Sequence, residues 1–109
     1  MNVIIRPSTY AYPELRARFF EIMEALGGAG IAPGARVLIK PNLLLPARPE
    51  EAILTHPLVV RAAAEYALER KAIPVISDSP AMGSFGRLLR VSGLGAALAA
   101  LGSPCRPVE

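Results

Sequence analysis

At 109 residues the chain is long enough for one domain with a real core and little more. Apolar residues make up 52% of it and aromatics only 6%, so the core has to be built from Leu, Ile, Val and Ala. The net charge of +3 comes from ten Arg and two Lys scattered without a run of like charge; this argues against a nucleic-acid partner and leaves a mild attraction for small anions.

Taken in chain order, Val3-Ile4-Ile5 is a short apolar run closed by Arg6-Pro7 and predicts a first strand. Residues 14–26 place Leu15, Phe19, Ile22 and Leu26 at helical spacing. Pro13 suits the first helical position, and Glu14 stands four residues ahead of Arg18 in the favourable order. Gly27-Gly28 is the expected stop. Pro33-Gly34 then turns the chain into a buried strand over residues 35–39. The segment 41–55 holds Pro41, Pro46 and Pro49 and reads as the longest loop. A second helix is predicted from Pro57 to about Lys71, with Arg61, Glu65 and Glu69 on one face and Val59, Ala63 and Tyr66 opposite. Ile73 to Ser77 is a third strand. Two short helices, residues 84–91 and 94–101, follow the turn material after Asp78. The tail around Pro104 and Pro107 can be at most an edge strand, because proline donates nothing to a ladder.

Strands alternating with helices predict a single α/β domain over residues 1–109, three-layer α/β/α and Rossmann-like, with a mostly parallel sheet and right-handed crossovers. The final residues read as the middle of an element, so the expectation is an incomplete half or N-terminal fragment of something longer. An unpaired sheet edge then predicts self-association.

In such sheets ligands bind beyond the carboxyl ends of the strands. Three segments fall there: Lys40-Pro41-Asn42, Thr55-His56-Pro57 and Asp78-Ser79-Pro80. Proline keeps Lys40 extended at the strand end, where an ammonium is a point charge for phosphate or carboxylate, with Asn42 able to donate and accept beside it. Were it partly buried, Lys40 could also serve as a base; the plainer reading is a lysine that simply closes a strand. Thr55 or His56 would cap the second helix, whose free amides suit an anion, though capping alone explains the motif. Asp78 could bond a polyol, hold a metal or orient His56 or Lys40. Ser84 could cap a short helix and share its amides, while Ser79 and Ser84 also serve as ordinary turn formers. Lys40 and Asp78 are the candidate catalytic residues; Asn42, Thr55, His56, Ser79 and Ser84 are the candidate ligand-binding ones.

Several signals are missing. No Gly-x-x-x-x-Gly-Lys-Ser/Thr loop is present, and Gly28-Ala29-Gly30 follows a helix rather than a strand, so neither a Walker nor a dinucleotide fingerprint stands. One His and one Cys, far apart, make no zinc or cluster site. A lone Cys105 makes no internal disulfide, which fits a reducing compartment. The nearly apolar stretch 91–101 is too short to span a bilayer, and no signal peptide is visible. A cytoplasmic protein without a membrane partner is the expectation.

The three segments, with Gly83-Ser84 and Ser92-Gly93-Leu94 downstream, resemble a prokaryotic family of uncharacterised proteins, domain of unknown function number 362, over roughly residues 35–95. Its pattern is a strand into Lys-Pro-Asn, a variable loop, Thr shortly before Pro and a helix, then a strand ending in an acid and Ser. The resemblance implies that Lys40, Asn42, Thr55 and Asp78 share a site. It gives no support to a catalytic His56, because family members carry other polar residues there. Members often have a ferredoxin-like cysteine module, so the resemblance implies an iron–sulfur cluster held outside this chain. It leaves two functional readings: the N-terminal part of an enzyme that binds an anionic metabolite, or a non-catalytic docking domain in a redox-associated protein.

Overall fold

The structure, a computed structural model, describes residues 3–41, 55–78 and 105–107. Two helices, α1 (Tyr12–Ala25) and α2 (Pro57–Glu69), accompany three strands, β1 (Arg36–Ile39), β2 (Ile73–Asp78) and β3 (Cys105–Pro107). The strands lie in the order β1-β2-β3 and both pairings are parallel. This is an α/β fold. The predicted helices 84–91 and 94–101 and nearly all of the 41–55 loop lie outside the described residues.

Helix α1 begins with no side-chain cap at Ala11. Thr9 does the work from two residues earlier, accepting from the Ala11 amide at 3.2 Å and donating its hydroxyl to Glu14 at 2.8 Å. Glu14 is therefore not the partner of Arg18 that its spacing predicts; Arg18 turns instead to Glu21, one turn on. Pro13 is the second helical residue rather than the first. The stop is as expected. Gly27 has φ +92°, a conformation costly for any residue with a Cβ.

Helix α2 is wedged between α1 and the sheet. Tyr66, at 2% exposure, meets Phe19 and Phe20 of α1 edge-on, and its hydroxyl donates to Glu24 at 2.8 Å. Burying a side chain of that size contributes roughly 2 kcal/mol, more than any exposed ion pair nearby. Beside it runs a polar seam. Arg16 pairs with Glu65 at 3.3 Å and with Glu69 at 3.5 Å, Arg61 lies over the Tyr12 ring, and the Tyr12 hydroxyl donates to Glu65. Burial first, then the Glu65 carboxylate, pushes the Tyr12 phenol up to about 12. So the polar face of α2 is a helix–helix contact, and Tyr66, which the spacing set opposite, meets α1 as well. The small residues Ala64 and Ala67, with Val60, remain for the sheet side, where their size allows close approach. Gly28 is small for a related reason: a Cβ there would overlap the Tyr66 ring and stand 2.9 Å from the Met23 carbonyl.

Strand β2 is central yet contains Pro74. Its neighbour Ile73 donates to the Ala35 carbonyl at 2.7 Å, so alternation turns the proline nitrogen away from β1. On that other side β3 pairs only from Ile76 to Asp78. The proline costs no hydrogen bond to either strand. The tail strand is an edge strand, as expected, and its Pro107 faces Asp78.

Two strand expectations change. Val3-Ile4-Ile5 is not a strand; among the described residues it pairs with nothing in the sheet, and Val3 and Ile5 are each 81% exposed. Nor is β1 buried on both faces, since Leu38 is 63% exposed and Ile73, on the same face of the neighbouring strand, is 48% exposed.

Candidate functional site

Lys40 directly follows β1, and Asp78 is the last residue of β2. Ile39 pairs with Ile76, so both residues come at the carboxyl ends of adjacent parallel strands. Strand spacing and rise put their Cα atoms about 6 Å apart. Lys40 is exposed, so the burial that a base role would require is not found. Pro41 after it is buried. Asn42, Ser79 and Ser84 lie outside the described residues.

The start of α2 belongs to this same end, because the helix leads into β2 from its amino end. His56 is the cap: its backbone is extended, with φ −60° and ψ 134°, and its Nδ1 accepts from the Leu58 amide at 3.2 Å. Pro57 fills the first helical position and is buried. Thr55 is half-buried just before the cap. An accepting Nδ1 fixes the neutral imidazole with its proton on Nε2, and burial holds the ring's pKa below the ordinary histidine value. The ring also stacks on Tyr10, 3.8 Å between centroids and 10° from parallel. His56 is thus a neutral cap with one N–H left to donate.

Sequence reasoning did not find Tyr10. No spacing links residue 10 to residue 56; the only local signal was a run of hydroxyl residues, Ser8-Thr9-Tyr10, before a helix. Nor did it find the cleft these residues help to form. About 340 Å³ in volume, it is lined by Arg6, Tyr10 and Arg18 among polar residues and floored by Phe19, Ile22 and Val59. Among the described residues, no group of three or more His, Cys, Asp or Glu could hold a metal ion. A four-thiolate cluster does not fit this chain, which has one cysteine.

Parallel strands with a helix between them define a small α/β fold. Residues 37–109 match the model of a family described as "Domain of unknown function (DUF362)", and the chain belongs to that family. It is 42% identical over 83 residues to the thylakoid-associated protein sll1697 of Synechocystis sp. (strain ATCC 27184 / PCC 6803 / Kazusa), a match covering 74% of this chain. The match takes in 26% of that relative, so the chain spans about a quarter of its length. No solved structure matches the chain. No helix among the described residues is long and apolar enough to cross a membrane.

Proposed function

We propose that the carboxyl ends of β1 and β2, with the start of α2, bind an anionic small molecule, as the N-terminal part of a redox-associated, iron–sulfur-linked protein. The observation that supports this is the shared end. Lys40 follows one strand, Asp78 ends its parallel neighbour, and α2, which leads into the amino end of β2, starts from the same end of the sheet. In this reading Lys40 supplies the positive charge and the first amides of α2 add their dipole. Asp78 accepts hydrogen bonds from the ligand's hydroxyls, with Asn42, Thr55, Ser79 and Ser84 completing the polar shell. His56 contributes a neutral Nε2 donor. The fold reading that accompanies it is three layers with right-handed crossovers, of which β1, α2 and β2 form one unit.

The test is a titration with inorganic phosphate, followed by amide NMR shifts of the 109-residue chain. Residues 40, 56–59 and 78 should shift together, and Lys40→Ala should weaken the effect about tenfold. Shifts that are absent, or unchanged in both Lys40→Ala and Asp78→Ala, would sink the reading.

The second reading is a docking domain without a reaction of its own. It is favoured by the exposure of Val3 and Ile5 on either side of the half-buried Ile4 and next to Arg6, and by the thylakoid association in the relative's name. A basic segment with exposed apolar side chains suits the surface of an anionic membrane. Co-flotation with anionic vesicles that is lost in Val3→Asp/Ile5→Asp would favour it over the first.

A further inference from the structure

A second site lies in the cleft between the N-terminal segment, α1 and the first turn of α2, bordering the strand-end site where Tyr10 stacks on His56. We propose that it binds a soluble amphipathic anion, a molecule with an acyl or aromatic body and a carboxylate or phosphate head. The inference does not depend on the site at Lys40 and Asp78.

The body is argued from the floor. Phe19, Ile22 and Val59 each keep part of their apolar surface open to the cleft, although three elements meet there. A volume of about 340 Å³ is at the lower end of what small-molecule pockets offer. Tyr10 adds an aromatic wall, held in place by its stack on His56.

The head is argued from charge. Arg6 and Arg18 both line the cleft, and both lean on one carboxylate, Glu21, at 3.5 Å each. Glu21 itself is not among the lining residues. Both guanidiniums share that one carboxylate, with Glu14 engaged by the lining Thr9 instead, and long, half-exposed pairs of this kind are held weakly. An incoming carboxylate or phosphate offers them a bidentate partner. An apolar floor with two loosely held guanidiniums beside it selects an amphiphile over both a neutral lipid and a simple salt.

The experiment uses sodium decanoate below its micelle concentration, titrated into the whole 109-residue chain and followed by amide NMR shifts. Decanol and acetate are the neutral and bodiless controls. Decanoate should shift residues 6, 8–10, 15–22 and 59, with a response at residue 40 no larger than acetate produces, while each control binds the cleft at least tenfold more weakly. Arg18→Ala should weaken decanoate binding about tenfold, whereas Glu21→Gln should tighten it, because the competing carboxylate is gone. A merely structural role for the three residues would move both variants the same way. Decanoate that binds no better than acetate, or a Glu21→Gln affinity that is unchanged or weaker, overturns the proposal. So does arginine-dependent binding seen with anionic phospholipid vesicles and not with decanoate, which would assign the surface to a membrane.

Discussion

His56 shows how one side chain can serve structure and charge at once. It caps α2 only while Nδ1 carries no proton, and burial already disfavours the imidazolium. The folded-state pKa therefore lies below the unfolded one, so between the two values the unfolded chain binds more protons. Its contribution is fully present above about pH 6.5 and is lost as pH falls through the lower folded value. Urea unfolding of the chain should show stability falling as pH drops from 7.5 to 5. In His56→Asn, which keeps a capping oxygen but cannot titrate, that slope should flatten while stability at pH 7.5 changes by less than about 1 kcal/mol. An unchanged slope would mean that some other group carries it. The cap itself was legible in Thr55-His56-Pro57, since a polar residue before proline is a helix start. Its stack on Tyr10 was not, because contacts between residues 46 positions apart leave no trace in local spacing.

Among the elements, α2 ends in an unexpected way. The Ala72 amide reaches back to the Ala67 carbonyl and the Lys71 amide to Leu68, both at 2.9 Å, the double bond pattern of a helix closed by a left-handed residue. That residue is Lys71, with φ 59°, where glycine is usual. Lys71→Gly should raise stability by about 0.5–1 kcal/mol, read as a higher urea midpoint at constant slope. A lower midpoint would show that the lysine side chain contributes more than its backbone costs. The contrast with α1 explains what could be read in advance. Gly27 announces its left-handed turn by being glycine, but Lys71 does not. Val3-Ile4-Ile5 failed in the opposite direction: its β-branched residues have the propensity, but a strand exists only where a neighbour pairs with it. The Glu14–Arg18 pair failed because Thr9 competes for the same carboxylate.

For the whole molecule, the alternation of strands and helices was enough to predict parallel pairing, and the β1-α2-β2 succession follows it. The candidate site was legible to the same degree: the chemistry of Lys40 and Asp78 came from residue types, and their common end came from the alternation. How α1 sits was not legible. A helix with a half-apolar face can cover a sheet or another helix, and here Tyr66 and the seam of Arg16 with Glu65 and Glu69 draw it onto α2. On the sheet face shared by Leu38, Ile73 and Val75, Leu38 and Ile73 are exposed while Val75 is buried.

Pro74 has a kinetic side. Because β3 joins β2 only beyond it, from Ile76 to Asp78, while β1 pairs from Ile73 to Ile76, the two neighbours overlap at Ile76 alone. Solvent deuterium should therefore replace the amide protons of β2 along a gradient that is slowest at Ile76, with Val75 and Asp78 faster on either side. An even or reversed gradient would show that β3 detaches before β1 does. Where the gradient holds, the pairing of Ile39 with Ile76, next to Lys40 and two residues before Asp78, is the last to open, and a ligand would meet a surface anchored there.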